Sequence, residues 1–317
     1  MSTAVAGASS GEHGWEQSWE HGQAIVNGVR LHYVAAGAGP VVLLLHGFPE
    51  CWYTWRRQIP ALAAAGFRVV APDMRGYNTS EKPPGVGGYM IEALVGDALG
   101  LIQCFGDGRA TVVGHDWGGY IAWHVAMAHP EAVAGLAVLN GPHPAVFWRE
   151  VRRPAQALRS WYQVFFQLPW LPEAILCAGE YALLKRPFRR DPIRPGAYTE
   201  AAIQRNVAAM AQPGALSAAL NYYRAGWRHG WRQTLREMRV VEGPVLVIWG
   251  ERDRYLSLRL TRGLERWAPG VRVERIAGAS HWVQHDDPQR VNELLLGLLR
   301  RVSGQGAGNG GDRDREP

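Results

Sequence analysis

Residues 110–130, ATVVGHDWGGYIAWHVAMAHP, decide how this chain folds. A short β-rich run, ATVVG, enters a glycine-rich turn, GHDWGG (114–119), and leaves it in a stretch of helical apolar spacing. Strand, sharp turn and helix is an arrangement that lifts a nucleophile above the end of a parallel sheet, and Ser or Cys is its usual occupant. Here the position holds Asp116. A carboxylate with an ordinary pKa of about 3.9 is already anionic at neutral pH and needs no base to activate it. It suits displacement at an sp³ carbon, which leaves an ester that water must then break.

The same punctuation continues outward on both sides. AIVNGVRLHYVAAG (24–37) alternates like a hairpin with its turn at Asn27-Gly28. VVLLL (41–45), FRVVAP (67–72), VAGLAVLN (133–140), VLVIWG (245–250) and VRVERI (271–276) are further strands, and helix-length stretches at 55–65, 91–104, 117–129 and 258–267 stand among them. That alternation predicts an α/β fold, a mostly parallel sheet with helices on both faces. Between Asn140 and Val245 the rhythm stops for roughly a hundred residues rich in Trp, Tyr, Phe, Arg and Pro. An insertion there predicts an inserted helical cap over the carboxyl ends of the strands, the edge where open α/β sheets bind ligands. The expected division is a flexible N-terminus (1–19), a core of 20–142 and 238–302, a cap of 143–237 and a disordered tail (303–317).

The 317 residues carry a net charge of +6, almost all of it arginine scattered between acids, with lysine only at Lys82 and Lys185. No nucleic-acid partner is expected from that pattern. The densest basic stretch, KRPFRRDPIR (185–194), reads as a solvated loop. Three widely spaced cysteines, Cys51, Cys104 and Cys177, point to neither disulfides nor zinc. No apolar run approaches the ~20 residues of a membrane span, and the first residues lack the basic and apolar regions of a signal peptide. The expectation is a cytoplasmic protein without an integral membrane segment; a homo-oligomer is compatible with the sequence.

Each of three chemically loaded residues stands just after a predicted strand: Asp116 in the turn, Asp253 in GERD and His281 in GASHW. Their chain order, nucleophile, acid, His, is that of α/β-hydrolases, and all three would converge on one sheet edge. HGFP (46–49) follows VVLLL, where that fold draws one oxyanion N–H from the loop and another from the residue after the nucleophile, here Phe48 and Trp117. Asp116, Asp253 and His281 then serve as nucleophile, orienting acid and base. His46 is expected to orient the loop, and His285 to be structural rather than a metal ligand.

From residue 20 to 302 the chain resembles the soluble epoxide hydrolases of the α/β-hydrolase superfamily. HGFPECWYTWRRQIPAL, DMRGYNTSEKP, GHDWGGYIAWHVAMAHP, FFQLPW, QPGALSAALNYYR, WGERD and SHWVQHDDP follow that family's segments in order. Asn78 departs from the more usual RGYG, but Asn tolerates the left-handed backbone that Gly supplies there. The resemblance implies that two tyrosines of the cap, Tyr162 in SWYQVFFQ and Tyr223 in LNYYR, hold the epoxide oxygen, with Tyr222 on another helix face. It implies a small lipophilic epoxide and water as reactants, a vicinal diol as product, and no metal or organic cofactor. Phe48, Trp117, Phe165 and Trp170 are expected to make the pocket apolar. Asn140 sits where some relatives place the triad acid, and as an amide it leaves that role to Asp253.

Two other functions fit parts of the pattern. A hydrolytic dehalogenase uses the same Asp-His-Asp chemistry, but haloalkane dehalogenases carry a halide-binding Asn where this chain has Phe48, and fluoroacetate dehalogenases an Arg where it has Trp117. A non-catalytic ligand-binding protein on the same scaffold would keep the pocket without needing Asp116, Asp253 and His281 together.

Overall fold

The computed structural model describes residues 19–230 and 238–307. Eight strands form one sheet: β1 (Glu20–Val26), β2 (Val29–Ala36), β3 (Val41–Leu45), β4 (Arg68–Pro72), β5 (Ala110–His115), β6 (Val133–Leu139), β7 (Val245–Gly250) and β8 (Val271–Ile276), in the order β1-β2-β4-β3-β5-β6-β7-β8. The β1–β2 and β2–β4 pairs are antiparallel, and every later pair is parallel. The hairpin turns at Asn27-Gly28, both at positive φ, as its sequence predicts.

Inner strands are buried along their whole length, because helices cover both faces. Leu43, Leu45, Val112, Val138 and Val247 point to the side of α2 (Ile91–Phe105) and α3 (Trp117–Ala128). Their alternates Val42, Leu44, Val113, Leu139 and Ile248 pack with α1 (Ile59–Ala64) and the C-terminal helix Pro288–Ala307. The order in which strands are laid down reverses at β3, with β4 on one flank and β5 on the other, so a crevice opens beyond the carboxyl ends of β3 and β5. Paired positions Leu45 and Gly114 bring those two ends level.

Between β6 and β7 the described residues are helical: α4 (Pro144–Glu150), α5 (Pro154–Arg159), α6 (Trp161–Phe165), α7 (Leu171–Arg190), α8 (Glu200–Met210) and α9 (Ala215–Ala225). Residues 231–237, which the sequence reading places in the cap, lie outside the described residues. α7 bends at residues 178–181, where Gly179, Glu180 and Tyr181 take left-handed φ.

Several expectations are corrected. Residues 185–190 are the last turns of α7 rather than a loop, because buried Lys185 and Phe188 anchor them. The stretch 258–267 is two short 3-10 turns, Leu258–Thr261 and Leu264–Arg266, since Arg262 is extended and Gly263 is left-handed between them. The stretch 55–65 begins late, at Ile59, after a 3-10 turn over Trp52–Trp55. Trp19, placed with the flexible N-terminus, is buried edge-on against Trp52; residues 1–18 lie outside the described residues. The final helix runs to Ala307, five residues past the expected boundary at 302, and 308–317 are likewise outside. Among the described residues no helix is long and apolar enough to cross a membrane.

Candidate active site

Asp116 stands between β5 and α3 with φ 52° and ψ −117°, a conformation that side chains rarely adopt. The surrounding glycines make the turn feasible. A Cβ on Gly114 would lie 2.2 Å from the Gly118 carbonyl oxygen, and one on Gly118 would lie 2.1 Å from that of Leu45. Only glycine lets helix and strands approach this closely, and the approach holds the Asp116 carboxylate above the sheet edge.

The neighbouring strand ends supply its partners. The Phe48 N–H, after β3, donates to Asp116 Oδ1 at 3.0 Å. His281, after β8, sets Nε2 3.6 Å from Asp116 Oδ2 and bonds through Nδ1 to Asp253 Oδ2 at 2.7 Å. Asp253 is buried and accepts three further hydrogen bonds, from the backbone N–H of Tyr255 and Leu256 and from Asn140 Nδ2. Burial opposes its ionisation, but the charge and hydrogen bond of His281 and these donors hold its pKa below the ordinary value. Burial likewise opposes protonation of His281; the Asp253 carboxylate and then Asp116 outweigh it and raise His281 to about 10. Trp117, as the first residue of α3, has a backbone N–H without an intrahelical acceptor.

Opposite this edge, Tyr162 on α6 and Tyr223 on α9 lie with ring centroids 5.9 Å apart, and Tyr223 packs edge-on against both Phe48 and Trp117. Burial, reinforced by neighbouring charge or phenol groups, pushes both phenols above their ordinary pKa, so both keep their protons. Tyr222 turns away and donates to the Arg75 carbonyl at 2.8 Å. Asp116, Tyr162 and Tyr223 border two cavities. The larger, about 800 Å³, is walled by Phe48, Phe165, Phe166, Leu176 and Leu184, and the smaller, about 50 Å³, by Trp117, Phe147 and Trp148.

Trp170, expected in the pocket, lines neither cavity. It is 73% exposed at the start of α7, where φ of 49° turns it outward. His46 fits the loop-orienting reading: its Nε2 accepts the Met74 N–H and its Nδ1 lies 3.0 Å from the Gly47 carbonyl. Asn78 adopts φ 45° and donates to Asp73. His285 is buried beside Thr54 and Glu50, and burial holds its pKa down to about 3. Among the described residues no cluster of His, Cys, Asp and Glu is arranged to hold a metal.

Sequence reasoning missed a buried bracket behind the site. Glu50 Oε1 accepts from the hydroxyls of Thr54 and Tyr198 while Oε2 lies 3.0 Å from His115 Nδ1. His115 Nε2–H in turn donates to the His281 carbonyl at 2.9 Å. Only adjacency to HGFP and Asp116 marks these residues in the sequence; their pairing spans strands. Asn140, which the sequence marks only as an amide unable to serve as the acid, bridges Asp253 and the Gly250 N–H.

A family model for the alpha/beta hydrolase fold matches residues 40–168 and 186–288. The chain belongs to that family. It is 45% identical to the AB hydrolase superfamily protein YfhM of Bacillus subtilis (strain 168), over 86% of this chain and 96% of that one. It is 36% identical to epoxide hydrolase 4 of Homo sapiens over 86% of this chain and 76% of the human protein. Among solved structures, an epoxide hydrolase of Bacillus megaterium in complex with an inhibitor superposes with a TM-score of 0.80 at 34% identity, covering 88% of this chain and all of that one.

Proposed function

We propose that this protein hydrolyses epoxides to vicinal diols through a covalent ester on Asp116, and that the helical insertion, expected over 143–237, is the cap of the site. The observation that carries this reading is one carboxylate flanked by an N–H donor and an imidazole, with two protonated phenols, Tyr162 and Tyr223, bordering the same cavity. The names of the similar proteins support the substrate class, and the cavity's aromatic and aliphatic walls favour lipophilic epoxides.

Asp116 Oδ2 attacks an epoxide carbon while Oδ1 stays on the Phe48 N–H. The carbon–oxygen bond of the ring breaks, and its electron pair passes to the epoxide oxygen. Tyr162 and Tyr223 donate to that oxygen as charge builds on it, which is general-acid assistance to a poor leaving group. Esterification removes the charge of Asp116 and one of the two carboxylates that keep His281 protonated. His281 therefore releases its proton, balancing the one taken by the leaving oxygen, and becomes the base when a base is needed.

Water, deprotonated by His281, adds to the Asp116 carboxyl carbon. Negative charge collects on Oδ1 against the N–H groups of Phe48 and Trp117. Asp253 fixes the imidazole tautomer and stabilises the imidazolium. The Cγ–Oδ2 bond then breaks, the leaving alkoxide takes the remaining proton of the added water, Asp116 returns to its carboxylate, and the diol leaves carrying an oxygen from the enzyme.

Single turnover in ¹⁸O-water tests this. The first diol should contain no label and Asp116 should acquire it, and His281→Gln should accumulate a substrate-sized mass adduct. Label appearing directly in the first diol would sink the covalent route. Halide release without diol formation, on a panel of haloalkanes and epoxides, would replace it with the dehalogenase reading.

A further inference from the structure

Of the ten large hydrophobic side chains most exposed among the described residues, seven lie in one stretch of the insertion: Leu158, Trp161, Val164, Leu168, Trp170, Ile175 and Leu183. Trp161 is 64% exposed, Leu158 75% and Trp170 73%. They are not scattered. Leu158, Trp161, Ile175 and Leu183 all border the 800 Å³ cavity, so they surround the outer part of the space that ends at Asp116. Val164 on α6, and Leu168 and Trp170 in the turn from α6 into α7, are further exposed apolar side chains of the same segment. An exposed apolar patch of this kind marks an interaction site.

Charge is concentrated in the same segment of sequence, and Arg159, Arg186 and Arg190 of it border the cavity. Residues 149–194 contain nine arginines and lysines against four acids, which accounts for +5 of the chain's net +6. Three of those acids are already committed: Glu150 to Arg149, Arg153 and Arg259, Glu173 to Arg224, and Asp191 to Arg254. Arg186 and Arg190, exposed on the second half of α7, border the cavity among the apolar side chains. Tryptophan and leucine beside arginine is the composition that seats a surface at the boundary between lipid headgroups and acyl chains, with the guanidinium groups on anionic headgroups.

We infer that this arginine-rimmed apolar mouth docks on the surface of an anionic phospholipid bilayer. A second copy of the chain is the less fitting occupant, because a two-fold contact sets the same basic patch against itself. The choice of a bilayer over an acidic protein rests on the proposed reaction: a lipophilic epoxide dissolves in hydrocarbon, and the same rim surrounds the space leading to Asp116. Docking would let substrate pass from membrane to cavity without crossing water.

Flotation of the full-length protein with phosphatidylcholine vesicles, with and without phosphatidylglycerol, at low and high salt, tests the inference. Binding to the doped vesicles should exceed binding to neutral ones by ~10-fold at low salt and fall as salt screens the rim. Leu168→Ser/Trp170→Ser should abolish flotation while leaving diol formation from a small water-soluble epoxide unchanged. Arg186→Glu/Arg190→Glu should remove the preference for anionic vesicles. Equal binding to both vesicles, or flotation untouched by both pairs of substitutions, overturns the proposal. So does a wild-type dimer that Leu168→Ser/Trp170→Ser splits without any vesicle binding, which would make the face a self-association surface. Flotation needs no turnover, so a failure to form diol would count against the reaction and leave the docking result standing.

Discussion

The two walls of the cavity are built differently. On the sheet side, Asp116, Asp253 and His281 stand at the ends of adjacent or nearby strands, and each is fixed by backbone geometry or by short hydrogen bonds. On the insertion side, Tyr162 and Tyr223 are held chiefly by packing: aromatic edges from Phe166, Phe48 and Trp117, with α6 and α9 joined where Arg224 donates to the Phe166 and Leu168 carbonyls and Gln167 to that of Tyr223. In the proposed reaction the nucleophile requires a fixed line of attack, which backbone register would provide. The proposed donors to the leaving oxygen rest instead on packed aromatic rings, which can shift without breaking a network.

That contrast is most severely tested on the sheet side. Asp116→Ala should lower kcat by ~10⁴-fold or more, the loss typical of removing a covalent nucleophile, with the fold retained by circular dichroism. Residual turnover within tenfold of wild type would remove Asp116 from the chemistry. The opposite wall should be more forgiving. Tyr162→Phe/Tyr223→Phe should cost ~10³-fold, within the range expected for general-acid assistance, and the loss should fall on ester formation, leaving hydrolysis of a preformed ester nearly unchanged. Equal losses in both steps would mean that the tyrosines organise the sheet side as well.

Asn140 probes how far the rigidity of the sheet side extends beyond the reacting groups. It ties Asp253 Oδ2 to the Gly250 N–H, and both atoms are buried. Asn140→Ala should cost ~2 kcal/mol of stability, in the range for a lost hydrogen bond to a charged group, measured by urea denaturation, and should slow ester hydrolysis more than ester formation. A stability loss with unchanged hydrolysis would confine Asn140 to holding β6 against β7.

The same division governs what could be read from the sequence. Strand ends are legible because β-rich runs are short and bounded, so Asp116, Asp253 and His281 can be placed on one edge before any coordinates exist. Helices of the insertion are visible too, but their inward faces are not. Trp170 looks like Phe165 in composition, yet a left-handed backbone turns one outward while the other lines the cavity. KRPFRR looks solvated because arginine dominates it, while Lys185 and Phe188 are what anchor it as helix. Glu50 and His115 are 65 positions apart and meet only because β3 pairs with β5.

The smallest expected effect follows from the charge state of His281. Its folded pKa, about 10, lies above its ordinary value of 6.5. Its protonation therefore stabilises the folded state fully below pH 6.5, and that contribution declines as pH rises toward 10. His281→Gln cannot carry the charge, so the gap in Tm between wild type and variant should be widest near pH 6 and narrow steadily toward pH 10. Asp253, held below its ordinary pKa by His281 and its other donors, does not titrate in this range. A gap that stays constant across that range would show that His281 is neutral in the resting protein. The order of proton release in the reaction would then reverse, with the base present before the ester forms.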